Sequence, residues 1–242
     1  MNQTFKILAI GNSFSEDAIA YLWDIASLNH VQFTLGNLFI GGCDLETHWK
    51  NAITPNMEYT YYKNMTGQFI GTPSSLIKGL MDESWDIITL QQASHKSGLK
   101  NTYEPYLSHL INFIKKHQPK AKIYWHKTWA YQKDSNHPNF VDYHRDQIFM
   151  HESIEKVVQN TVIKHKGIDG IIDTGSIIQA FRGTSFGDTL TRDGFHLSLD
   201  LGRYIAGLTW FFKVNPVPIE KVNHLSWISE TNIKVIESVF DK

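Results

Sequence analysis

The sequence of 242 residues contains a single cysteine, Cys43. An internal disulfide framework and any cysteine-rich zinc site are thereby excluded. Long apolar stretches are also missing, and no run approaches the roughly 18 residues of a membrane-spanning helix. Lysine and arginine (23) nearly balance aspartate and glutamate (24). Nowhere do basic residues gather into the stripe that a nucleic-acid partner leaves on a sequence, so none is expected. The opening residues, Met1-Asn2-Gln3-Thr4-Phe5-Lys6, lack the charged and long apolar regions of a secretory leader. Two locations fit that start: the cytoplasm, or export with a leader that precedes residue 1. Disorder is not expected either, because 42% of the residues are hydrophobic and only 19% are charged.

What the chain does contain is an alternation of short apolar runs and helical periodicities. A chain of this length can bury a full core in one domain. The run at 5–10 ends in Gly11-Asn12-Ser13 and reads as a buried parallel strand before a tight turn. Beyond it, Ile19, Leu22, Trp23 and Ala26 recur at helical spacing, with Glu16 and Asp17 suited to a first turn. Further strands are expected at 31–40, closed by Gly41-Gly42, and at 85–91, 121–125 and 170–173. Between and after them, helices are expected at 105–117, 142–165, 176–181 and 199–212. The tyrosine-rich segment 58–72, with Gly67 at its turn, reads as an inserted hairpin. The alternation predicts an α/β fold. Its form is a three-layer α/β/α sandwich in a single domain, 1–242, around a central, mainly parallel five-stranded sheet. Reactive groups in such sheets collect outside the carboxyl ends of the strands.

Two segments at those ends carry candidate chemistry. Ser13 stands in the turn between the first strand and a helix, where its hydroxyl is raised above the sheet. A capping role alone would explain a serine there. As a nucleophile it needs a base within hydrogen-bond reach. Asp193-Gly194-Phe195-His196 supplies one: an aspartate three residues before a histidine can fix the imidazole tautomer while the other ring nitrogen faces the serine. Ser198 is a separate cap for the following helix, which leaves Asp193 and His196 without a local structural duty.

Gly11-Asn12-Ser13 after the first strand, together with Asp193-Gly194-Phe195-His196 near the end, resembles the SGNH/GDSL superfamily of serine hydrolases. The resemblance implies the flavodoxin-like fold of that superfamily, with Ser13 as nucleophile, His196 as base and Asp193 as its acid partner. Asn12 replaces the more familiar aspartate. Residues 37–42 resemble the second family block, which implies that the Gly42 N–H donates to the oxyanion. The third block departs: where the family has an asparagine, this chain reads Leu90-Gln91-Gln92-Ala93-Ser94-His95. A glutamine amide can donate the same kind of bond, with Gln91 the first choice by its strand-tip position and Gln92 the second. The segments at 41–49, 85–92 and 127–131 further resemble an SGNH branch with this Leu-Gln-Gln block.

The resemblance implies ester hydrolysis through an acyl-enzyme, with no metal or organic cofactor. The substrate it favours is a small-molecule or glycan ester, above all a carbohydrate O-acetyl ester. Lipase, lysophospholipase and thioesterase activities belong to the same superfamily, and the altered third block keeps open a non-catalytic glycan-binding module. Asn12, His48, Trp49, His95 and Trp129 are candidates to line the pocket. His137, His144 and His151 recur at seven-residue spacing, too wide for a shared metal ion on a helix, and read as a solvated face.

Overall fold

The apolar run at 5–10 forms β1 (Thr4–Gly11), in which Ile7, Leu8, Ala9 and Ile10 are all buried. A strand covered on both faces carries such a continuous run rather than an alternation. The computed structural model describes residues 4–54 and 56–241. β2 (Gln32–Phe39) and β5 (Ile87–Leu90) flank β1 in parallel, and β6 (Lys122–His126) and β7 (Gly170–Ile172) continue the sheet beyond β5. The hairpin β3 (Tyr59–Asn64) and β4 (Ile70–Ser74) does not stand apart. It pairs antiparallel to β2 and extends the same sheet. Among the described residues the sheet therefore has seven strands, in the order β4-β3-β2-β1-β5-β6-β7, rather than the expected five. The parallel core does consist of five strands. The other two are the hairpin, whose pairing to the free edge of β2 could not be read from a local turn signal.

Helices cover both faces. α1 (Ser13–Ile19), α2 (Leu22–Leu28), α7 (Thr174–Arg182) and α8 (Leu201–Val214) pack together, with α9 (Glu230–Phe240) against α7. α3 (Leu45–Ile53) packs on α4 (Leu76–Leu80) and α5 (Tyr106–His117). α6 (Gln147–Val157) is shorter than the expected 142–165 helix. Asp146 caps its start by accepting from the Phe149 N–H, and His144 and Arg145 before it have positive φ (57° and 54°), which no helix continues through. Its final turn widens to π geometry at Val158–Val162. His137 and His144 consequently lie outside the helix that holds His151. No helix among the described residues is long and apolar enough to cross a membrane.

Chain order reverses at the centre of the sheet: β2 lies to one side of β1, and β5, β6 and β7 lie to the other. The ends of β1 and β5 thus flank a topological switch point, where open α/β sheets form their crevices. Gly11-Asn12-Ser13 and Gln91-Gln92 both emerge there.

α7 is held close to the segment after β6 by Gly175, whose N–H donates to the Lys127 carbonyl (2.9 Å). A Cβ at this glycine would stand 2.3 Å from the Thr128 carbonyl oxygen. Backbone cannot swing aside as a side chain can, so Gly175→Ala should destabilise the domain by about 1–3 kcal/mol, measurable as a lowered denaturation midpoint in urea.

Candidate active site

α1 begins directly at the strand end because Asn12, in extended backbone, caps it: the side-chain oxygen accepts the Phe14 N–H (3.0 Å). The cap leaves Ser13 as the first helical residue, half-buried at the switch point. Its hydroxyl lies 2.8 Å from His196 Nε2, and His196 Nδ1 lies 2.7 Å from Asp193 Oδ2. The other Asp193 oxygen accepts the backbone N–H groups of His196 (2.7 Å) and Phe195 (3.2 Å). Partial burial pushes the Asp193 carboxyl up, but the bonds from the imidazole and the two N–H groups outweigh it and hold it below its ordinary value. The three groups predicted from separate ends of the sequence form one hydrogen-bonded row. A row of this kind can draw a proton from the serine onto the imidazole while the carboxylate stabilises the resulting cation.

The loop with Asp193 and His196 is pinned on several sides. Gly194, at φ 88°, packs so closely on Ser135 that a Cβ would meet its Cα at 3.0 Å. The Gln132 N–H donates to the Gly194 carbonyl (2.8 Å), and the Trp129 indole donates to the Phe195 carbonyl (2.7 Å). Ser198 accepts the Gly202 N–H (2.9 Å) at the start of α8, in keeping with its expected capping role.

The Gly41-Gly42 turn follows β2, and Gly42 has φ 63° and is exposed. The Asn12 amide donates to the Cys43 carbonyl (2.9 Å) and so ties this turn to the start of α1. Among the described residues, neither the Ser13 nor the Gly42 N–H has an acceptor.

The glutamines differ from expectation. Gln91 Nε2 donates to Asn12 Oδ1 (2.9 Å), and its oxygen faces His126 Nδ1 (2.9 Å). Gln92 Nε2 donates to the carbonyl and hydroxyl of Thr102 (both 3.0 Å), while its oxygen accepts the N–H groups of Leu45 (3.1 Å) and Ala93 (2.9 Å). Both are buried at 1% exposure, and each amide is committed to protein partners. Gln92 spends both of its amide hydrogens on Thr102, whereas Gln91 spends one of its two on Asn12. Each steadies a neighbour: Gln91 supports the cap of α1, and Gln92 supports the start of α3 just after Gly42.

Pocket lining also needs correction. Asn12, His48 and Trp129 are buried, and Trp129 stacks beneath Phe14 with ring centroids 4.2 Å apart. None of the three faces solvent. Trp49 is half-buried against His109 of α5. His95 is half-buried beside the His137 ring (6.4 Å), and His137 in turn meets the edge of Phe195 (4.8 Å). His137 therefore joins His95 near His196, a proximity that sequence spacing did not reveal. Asp17, expected as a first-turn acid, is buried in the helix interior because α1 already begins at Ser13. Its position among Phe14, Ala18 and Ile19, a charge within an apolar stripe, was the available signal.

His126 was also unforeseen. Asn12 Oδ1 takes a backbone N–H, so Gln91 must present Nε2 to it and its oxygen to His126. Nδ1 of His126 therefore carries the proton, and Nε2 accepts from the Thr174 hydroxyl (3.1 Å). Complete burial pushes this imidazole down to about 3, which keeps it neutral.

Comparison with known proteins places the fold first. A candidate SGNH hydrolase from Slackia heliotrinireducens is similar at a TM-score of 0.53 and 20% identity, over 86% of this chain and 97% of that one. A catalytic mutant of Axe2, an acetylxylan esterase from Geobacillus stearothermophilus, is similar at a TM-score of 0.55 and 11% identity, over 93% and 99%. Catalytic mutants of Axe2 on the same fold alter a serine, an aspartate or a histidine. The architecture is SGNH-like. Within it, the model of a domain of unknown function, DUF4886, matches residues 6–233, and the chain belongs to that family. A DUF4886 family protein from Bacteroides uniformis is 36% identical over 98% of this chain and 93% of that one, with a TM-score of 0.93. No curated protein matches the sequence.

The buried histidines set a pH dependence. Burial, partly opposed by the Asp44 charge, pushes His48 down to about 4, as burial pushes His126 to about 3. In the unfolded chain both titrate near pH 6.5. Between these values the unfolded state binds more protons, so stability is full above about pH 6.5 and falls as the pH drops. The melting temperature should therefore decline from pH 7 to pH 4, and more shallowly in His126→Gln, whatever that variant's starting stability.

Proposed function

We propose that this chain is a serine esterase that hydrolyses carbohydrate O-acetyl esters through an acyl-enzyme. The observation that carries the reading is the unbroken row from the Ser13 hydroxyl through the His196 imidazole to the Asp193 carboxylate, with links of 2.8 and 2.7 Å. His196 removes the Ser13 proton as the oxygen attacks the ester carbonyl, and Asp193 holds the Nδ1–H tautomer and stabilises the imidazolium. The imidazolium then protonates the leaving sugar hydroxyl. Water, activated by the same imidazole, releases acetate from Ser13.

The developing oxyanion is held by the N–H groups of Ser13 and Gly42, which have no acceptor among the described residues. In this reading the hole has two backbone donors. The glutamines hold the segments that carry these donors in place. An acetylated glycan is favoured by the likeness to an acetylxylan esterase. The half-buried His95 and His137 beside Phe195 are further support, since they form a polar aromatic wall rather than an apolar channel for a long acyl chain.

Turnover of p-nitrophenyl acetate by wild type and Ser13→Ala tests the enzyme reading. The variant should lose at least about a thousandfold in kcat and should no longer be labelled by a fluorophosphonate probe. Equal rates, or equal labelling, would sink it. Acetate release from acetylated xylo-oligosaccharides should exceed hydrolysis of p-nitrophenyl palmitate; the reverse order would move the substrate to the lipase class.

A further inference from the structure

Asp17 lies four residues after Ser13 on α1 and is completely buried. A carboxylate survives in such a place only with charged and hydrogen-bonded partners. Arg203 of α8 meets Asp17 Oδ1 through Nε (2.8 Å) and Nη2 (2.7 Å). Arg192 Nη1 meets both oxygens (3.0 and 3.1 Å), and the Leu197 N–H donates to Oδ2 (2.9 Å). Arg192 also donates to the Leu197 carbonyl. Arg192 and Leu197 are the immediate neighbours of Asp193 and His196 in sequence. The carboxylate therefore grips both ends of the segment that carries the imidazole.

We propose that Asp17 is a positioning residue that sets the reach between the Ser13 hydroxyl and the His196 imidazole. The links close a ring. One turn of α1 runs from Ser13 to Asp17, about 6 Å along the axis. A hydrogen bond passes from Asp17 to Leu197, one peptide unit leads back to His196, and the 2.8 Å contact returns to Ser13. The other hydrogen-bonded anchors of this segment, from the Trp129 indole and the Gln132 backbone, tie it to the stretch after β6, while Phe14 of α1 meets the His196 ring at 5.9 Å through an apolar contact only. Asp17 makes the hydrogen-bonded link to α1. The paired arginines hold the carboxylate in one orientation, with both of its oxygens accepting from the loop.

The proposal rests on the reading in which Ser13 and His196 react together, and its test separates the two. Asp17→Asn keeps the shape but has one acceptor oxygen for two arginines and an N–H. A crystal structure of the variant should show the Ser13–His196 contact lengthened from 2.8 Å to beyond about 3.5 Å. With p-nitrophenyl acetate, kcat should fall about 10–100-fold while KM changes by less than about twofold, as expected for misplaced reacting groups. Glu83→Gln, which loosens the ion pairs with Lys6 and Lys63 at the opposite end of the sheet, should lower the melting temperature without lowering kcat. If Asp17→Asn does not fold, Arg192→Gln breaks the same link from the exposed side and should give the same split between kcat and KM. An unchanged 2.8 Å contact with wild-type kcat would overturn the proposal, as would a loss of activity matched by Glu83→Gln. Wild-type turnover that does not depend on Ser13 would remove the esterase reading, and the crystallographic distance would then decide the positioning claim alone.

Discussion

The buried side-chain amide of Asn12 is the point on which the geometry of the site turns. It has one acceptor oxygen and one donor nitrogen, and it spends both. The oxygen takes the Phe14 N–H and the Gln91 amide; the nitrogen gives to the Cys43 carbonyl. Three pieces of chain are joined there: the first turn of α1, the end of β5 and the turn that carries Gly42. A carboxylate at this buried position would set lone pairs against the Cys43 carbonyl. Polarity then propagates inward. The Asn12 oxygen requires a donor from β5, the Gln91 oxygen requires a donor from β6, and the remaining nitrogen of His126 requires a hydroxyl, which Thr174 supplies. Each member of the chain determines the next, and a connected buried network of this kind rigidifies its surroundings.

The two glutamines are best understood through that network. A glutamine is one methylene longer than an asparagine, so its amide reaches past the strand tip into neighbouring structure. Gln91 reaches the helix cap and Gln92 reaches the Thr102 turn and the first residue of α3. Within the SGNH-like architecture, the end of the third parallel strand thus braces the segments on either side of it.

Much of the fold was legible because its signals are local. The unbroken apolar run of β1 and the Gly-Asn-Ser turn after it announce a buried parallel strand and its exit, and Asp193 and His196 stand close enough in sequence to be paired by spacing alone. What escaped notice depends on contacts distant in sequence. The hairpin's own turn does not say which edge it will join. Asp17 shows only as a charge within an apolar stripe, and Arg192 looks like an ordinary surface charge, until 175 residues of separation are closed between them. His137 meets Phe195 only because the long segment after β6 folds back over the strand ends. Trp129 and His48 misled for a related reason: a loop or helix end near the crevice still packs some of its side chains inward.

The Asp193 carboxylate serves two masters with its two oxygens: one holds the imidazole, the other the N–H groups of the same short turn. Asp193 and His196 therefore travel as a single stiff body, with almost no internal freedom left to tune. For anyone transplanting this arrangement to another scaffold, the pair is a preassembled cassette. The remaining task is to dock that cassette against a serine, a matter of one interface rather than three independent side chains.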